Sequence, residues 1–174
     1  MRLANERMIR QANQLLALAR ATPAGVAQAR LEPLDLAALV RDSVQAFVDQ
    51  AARKGIDIGF ELAPALVAGD AFLLRDLVDN LVDNAVRYTP AGGTVTVRTL
   101  REGGAALLVV EDSGPGIPPE KRALVFNRFV RLDDKTTGSG LGLAIVRDIA
   151  LAHKAQVALS DMPGGGLRAE VRFP

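Results

Sequence analysis

The sequence predicts one α+β domain preceded by a separate helix. Three observations carry that expectation. Apolar residues recur at helical spacing in the stretches that start at Asp35, run from Ala71 to Tyr88, and run from Gly140 to Ala152. Between and after them, short segments alternate apolar with other residues at the period of a strand. Glycine-rich turns join strands in pairs, REGG between TVTVRTLR and AALLVVED and PGGG between VALS and LRAEVRF, as in hairpins.

In chain order, Ala4, Met8, Ala12, Leu15 and Ala19 form a narrow apolar stripe at steps of three and four. Residues 1–21 therefore read as one helix of a coiled coil or bundle, the alternative being a helix packed on its own domain. Residues 22–32 are rich in breakers and read as a linker, and 33–174 as the main domain. Asp35 is placed to cap a helix whose buried face is Leu36, Val40, Val44, Phe47 and Ala51, and Gly55 to end it in a left-handed cap. In IDIGFEL, alternating Ile56, Ile58, Phe60 and Leu62 predict a strand. In the helix Ala71 to Tyr88, Leu74, Leu77, Val78, Leu81 and Ala85 face the core. A short helix is expected around Glu120 to Phe126, after a glycine-rich loop.

Composition excludes several functions. A formal charge of +1 gives no bulk attraction to nucleic acid or lipid. Aromatic content of 4%, with no Trp, argues against binding single strands by base stacking. No Cys and a single His rule out disulfides, thiolate metal sites and multi-histidine zinc sites. No run of about 18 apolar residues is long enough to span a membrane, and MRLANERMIRQANQLL is too polar for a secretory signal.

Three constellations carry chemistry. In EDSGPGIPPE, a buried strand delivers Asp112 to its end, followed by Gly114 and Gly116. A carboxylate there accepts from an exocyclic amine, favouring adenine over guanine, in a charge-assisted bond worth about 1.5–3 kcal/mol. The alternative is a plain Gly-Pro turn. In GSGLGLAIV, Gly138, Gly140 and Gly142 lead into a helix whose first N–H groups and dipole suit phosphate. The alternative is a glycine cap; the pattern is neither a dinucleotide fingerprint nor a Walker loop. In DNLVDNAVRYTP, Asp76, Asn80 and Asn84 share one helix face, with Arg87 one step further. Amide oxygens suit Mg²⁺ and the arginine suits phosphate. The alternative is a hydrated helix face.

Together, in this order and with FNRF between the glycine segments, these parts closely resemble the ATP-binding domain of bacterial sensor histidine kinases, in the superfamily of gyrase, Hsp90 and MutL. NLVDNAVRYTP is similar to its N box, DSGPGI to its first glycine box, FNRF to its F box, GSGLGLAIV to its second glycine box, and GGGLRAEVRFP to its closing hairpin. The resemblance covers about residues 31–174. QANQLLALARA resembles the second helix of the dimerisation and phosphoacceptor bundle.

The resemblance implies a Bergerat-type two-layer sandwich, with a mixed, mostly antiparallel sheet covered on one face by helices. It implies ATP and Mg²⁺ as ligands, with Asn84 on the metal, Asn80 beside it, Arg87 near the phosphates and Tyr88 packed on the nucleotide. Asp112 reads the adenine amine, and Gly114, Gly116 and Ile117 shape its pocket. Gly138, Gly140, Leu141 and Gly142 form the hinge and phosphate-facing end of a lid, and Arg128 of the F box and Lys135 of the lid are candidate phosphate cations. The implied partners are the phosphoacceptor bundle of the same kinase and a response regulator. Neither nucleic acid nor membrane contact is expected of this segment. The expected setting is the cytoplasmic portion of a homodimeric inner-membrane sensor.

Two departures qualify this. The family's phosphoacceptor histidine has no counterpart, and His153, in IALAHKAQ, reads as a helix-end residue. The chain is thus expected to bind ATP without phosphorylating itself. The lid RLDDKTTGSG is short and carries few arginines. Gyrase-like ATPases place a water-activating glutamate where this chain has Asn80, and an amide is a poor base. That disfavours hydrolysis; a superfamily ATPase or serine kinase is one alternative, and a nucleotide-binding regulatory module without catalysis is the other.

Overall fold

The structure is a computed structural model. It describes residues 31–132 and 138–174, together with Ala12, Leu15, Leu16 and Ala19. Those four are helical and, like the stripe expected there, are apolar; Ala4 and Met8 lie outside the described residues.

The main body is a five-stranded sheet with helices on one face. In chain order the elements are β1 (Glu32–Asp35), α1 (Leu36–Arg41), α2 (Val44–Lys54), β2 (Asp57–Leu62), β3 (Leu66–Gly69), α3 (Ala71–Tyr88), β4 (Thr94–Glu102), β5 (Ala105–Asp112), α4 (Gly142–Ala152), β6 (Gln156–Asp161) and β7 (Leu167–Phe173). The large sheet runs β2-β4-β5-β7-β6, and β1 and β3 form a separate pair. Only β2–β4 is parallel; the other pairings are antiparallel, so the sheet is mixed as expected.

Side-chain alternation decides which face the helices cover. Val95 and Val97 of β4, Ala106, Leu108 and Val110 of β5, and Ala169, Val171 and Phe173 of β7 join Leu74, Leu77, Leu81 and Ile145 in one core. Each strand's alternate residues point to the opposite face, where Leu107 and Val109 are nonetheless buried. The cover there is a chain of ion pairs across four strands. Arg98 binds Glu61 at 2.8 Å and Glu111 at 2.9 Å, while Arg168 binds Glu111 at 2.6 Å and Glu170 at 2.8 Å. Long arginine stems lie over apolar strand residues while their heads pair in the plane above.

Three local expectations change. The helix expected from Asp35 to Gly55 is two helices, interrupted at Asp42 and Ser43. Arg75 of α3 reaches both, donating to Ser43 Oγ at 3.1 Å and Asp42 Oδ2 at 3.3 Å. Asp35 does cap α1, accepting from Ala37 N at 3.1 Å, and Gly55 is left-handed, with φ of 70°. Residues 119–126 form two 3₁₀ turns rather than one helix. The domain gains β1 and β3, and β1 starts at Glu32, one residue inside the expected linker.

Candidate functional site

Helix α3 carries one wall of a cleft. Asp70 starts it, accepting from Leu73 N at 3.0 Å. Thr89 ends it, its hydroxyl donating to Ala85 O at 2.7 Å, and Pro90 cannot continue it. Its apolar residues are buried on two sides, so the partly buried Asn80, Asn84 and Arg87 emerge along what remains. Helix α4 crosses beside them: a Cβ on Gly142 would lie 3.3 Å from Asn80 Oδ1, and one on Gly138 would lie 2.7 Å from Arg87 Nη1. The glycines therefore let the start of α4 and the segment just before it close onto the amide face. No described side chain caps α4 at its N-terminus, so first-turn N–H groups remain for another acceptor.

The cleft has a volume of about 440 Å³. Asn84, Arg87, Tyr88, Asp112, Gly116, Ile117, Gly140 and Gly142 all line it, which joins the three constellations in one space. Asp112 is 8% exposed at the end of β5. Its Oδ1 accepts from Gly114 N at 2.8 Å. Burial raises its pKa above the ordinary carboxylate value, and the backbone N–H groups of Gly114 and Leu167 oppose that rise. The cleft thus holds one carboxylate whose remaining accepting capacity is shielded from bulk water.

The other expected residues that are described do not line the wall. Gly114 backs onto Asp112 and the Tyr88 carbonyl. Asn80 lies under Gly142, and Leu141 is buried in the core. Arg128 is turned away, 3.2 Å from Asp148 of α4. Lys135 lies outside the described residues. Sequence reading passed over Lys121, Arg131 and the apolar liners Val125, Val130, Leu132, Leu143 and Leu167. Of these, Leu143, Val125 and Leu167 follow the periodicity of their own elements, Leu167 as the first buried residue of β7; Lys121 ends a 3₁₀ turn, and Val130, Arg131 and Leu132 come from a loop with no periodic signal. The loop that carries Arg131 is closed at its neck by Phe129 N donating to Gly140 O at 2.9 Å.

His153 is at a helix end, as expected. It is 5% exposed, with Nδ1 2.8 Å from Ile149 O and Nε2 accepting from Asp70 N at 3.1 Å. Both ring nitrogens are engaged at the far end of α4 from the cleft.

A mixed sheet with helices on one face, and one cleft lined by a buried carboxylate, an amide and an uncapped helix start, define a nucleotide-binding domain. The comparisons narrow the class. Residues 69–174 match the family described as histidine kinase-, DNA gyrase B- and HSP90-like ATPase, and the chain belongs to it. Over 172 residues it is 36% identical to the sensor protein kinase PmrB of Pseudomonas aeruginosa, covering 97% of this chain and 36% of PmrB. It superposes on the mycobacterial sensor histidine kinase MprB with a TM-score of 0.73 and 36% identity, covering 83% of this chain and 97% of that one. Against full-length ShkA in complex with AMPPNP the TM-score is 0.80 at 29% identity, covering 99% of this chain and 37% of ShkA. The chain spans well under half the length of the first curated relatives it matches. It is a histidine-kinase-type ATP-binding domain.

Proposed function

We propose that the cleft binds Mg-ATP and presents its γ-phosphate to a histidine on a separate helix bundle, as the catalytic domain of a two-component sensor kinase. The observation that carries this is the placement of buried Asp112 in one cleft with Asn84, Arg87 and the start of α4. Asp112 accepts the adenine amino group, while Ile117, Leu143 and Leu167 supply apolar wall for the ring and Tyr88 packs on the nucleotide. Arg87 and the first turn of α4 meet the phosphate chain. Among the described residues no cluster of three or more His, Cys, Asp or Glu side chains could hold a metal. The neutral amide of Asn84 fits Mg²⁺ taken mainly through phosphate oxygens and water. The ion's contribution is to neutralise phosphate charge.

The chain's part in transfer is positioning and charge neutralisation. The incoming imidazole nitrogen forms a bond to the γ-phosphorus as the bond to the bridging oxygen breaks and ADP leaves. Asn80 supplies no carboxylate to activate water in competition. His153 is not the acceptor, because its ring is buried and bonded at both nitrogens. The histidine comes from the bundle of the same kinase, whose second helix residues 1–21 continue, and a response regulator then takes the phosphoryl group. No helix among the described residues is long and apolar enough to cross a membrane. That fits the cytoplasmic portion of a homodimeric membrane sensor. The test mixes this chain with a histidine-bearing bundle fragment and Mg-ATP labelled at the γ position. Acid-labile label on the bundle is expected; label on serine, or release of free phosphate alone, would overturn the proposal.

A further inference from the structure

Helix α2 lies before the segment matched by the family, yet two of its side chains reach the helix that carries the cleft residues. Gln50 Nε2 donates to Asp83 Oδ1 at 2.8 Å. The other oxygen of Asp83 forms an ion pair with Arg87 Nη2 one turn on. One turn beyond Gln50 on α2, Lys54 Nζ donates to Val86 O at 2.7 Å and also to Arg87 O. Arg87 is thereby held at both ends, through its own carbonyl and through its guanidinium, while Nη1 faces Gly138 at the end of the lid.

We propose that Gln50 and Lys54 are positioning residues for nucleotide binding, orienting Arg87 toward the phosphate chain. The inference rests on the phosphate role given to Arg87 above. An arginine side chain has considerable rotamer freedom to lose on binding. One already fixed loses less, and affinity rises accordingly. Gln50 does this without adding charge. Its amide N–H fixes the carboxylate of Asp83, and one face of that carboxylate then fixes the guanidinium. Lys54 is partly buried beside Arg87, and both the burial and the neighbouring guanidinium lower its pKa. Its ammonium is kept there by the carbonyls at the end of α3, which are free to accept because a helix leaves its last carbonyls unpaired.

Calorimetric titration with Mg-ATP and with adenosine tests this on the whole chain, with melting curves to confirm folding. Gln50→Ala and Lys54→Met should each weaken Mg-ATP by about three- to tenfold, the worth of one hydrogen bond, and leave adenosine unchanged. Lys54→Arg, which keeps a donor at the carbonyls, should retain most of the affinity. In an Arg87→Ala background neither variant should cause further loss. A long-range charge effect of Lys54 would survive removal of Arg87, and a general loosening of α3 would weaken adenosine equally. Either result, or unchanged Mg-ATP affinity in both variants, overturns the inference. If Arg87→Ala alone binds Mg-ATP like the wild type, the phosphate role falls, and this inference with it.

Discussion

Gly166 is where closing the fold and shaping the cleft meet. The turn before β7 holds three consecutive glycines, all with positive φ, but their surroundings differ. A Cβ on Gly164 or Gly165 would meet nothing within 4 Å. One on Gly166 would lie 1.9 Å from the carbonyl oxygen of Asp112 and 3.0 Å from Ser113 Cα. An ordinary carbon–oxygen contact is about 3.3 Å, so Gly166→Ala must part the two strands by about 1.4 Å. Both sides are backbone, and no side-chain rotation relieves the clash. The φ of 115° adds about 1–3 kcal/mol of strain. The neighbouring Asp112–Leu167 pairing is put at risk, at about 0.5–1.5 kcal/mol for a lost hydrogen bond. The sum is about 1.5–4.5 kcal/mol, or about 3–18 °C in melting temperature for a chain of this size. Gly164→Ala and Gly165→Ala carry the strain alone. The consequence for function is specific, because Leu167 N holds the Asp112 carboxylate. Urea denaturation and adenosine titration of the three variants decide the matter. Gly166→Ala should be the least stable and the only one to lose adenosine affinity. Equal stability among the three, with unchanged adenosine affinity, would refute the reasoning.

Other predictions concern the scaffold. Glu111 is 6% exposed and joins Arg98 to Arg168. Glu111→Ala leaves two guanidinium groups over the sheet without their shared carboxylate. Since each arginine side chain is about one third exposed and can rehydrate, we expect a loss of about 2–3 kcal/mol rather than the larger cost of a fully buried pair, measured by urea denaturation. His153→Ala strands the Asp70 amide and opens space beside Phe173, so it should cost about 2–3 kcal/mol by the same assay. The pKa of Asp79 is raised, first by burial and then by Asp83, against an opposing effect of Arg75. A carboxylate whose folded pKa lies above its unfolded value costs stability when ionised. That cost is full above the folded pKa and disappears as pH falls toward the unfolded one. Asp79→Asn should therefore raise the melting temperature at neutral pH by about 1–2 °C, with the gain fading on acidification.

Much of this architecture is legible in the chain because physical constraints repeat. Helix α3 is marked by a cap, a long 3.6-residue stripe and a terminal Thr-Pro, and its bounds match the expectation. The β4–β5 and β6–β7 hairpins are marked by alternation and glycine turns. What escaped has no local mark. β1 reads EPLD, where a proline and two acids argue against a strand; it forms because its partner β3 lies 34 residues on, and Pro33 stands in a two-stranded sheet. The break at Asp42 and Ser43 lacks glycine or proline and is tied to Arg75, a tertiary partner. The two arginines of NRFVRL show the limit at the site. Between them Phe129 takes a left-handed conformation, with φ of 66°, and the chain turns so that Arg131 lines the cleft while Arg128 pairs with Asp148. A positive φ at phenylalanine is not readable from composition or spacing.

The central claim is that the buried carboxylate of Asp112 selects adenine in a cleft built for a magnesium nucleotide. Calorimetric titration of the wild type and Asp112→Asn with Mg-ATP and Mg-GTP tests it most directly. The wild type should prefer Mg-ATP by at least about tenfold, and Asp112→Asn should lose about 10- to 100-fold in ATP affinity with little change for GTP. Equal affinities for the two nucleotides in the wild type, or an unchanged preference in Asp112→Asn, would contradict it.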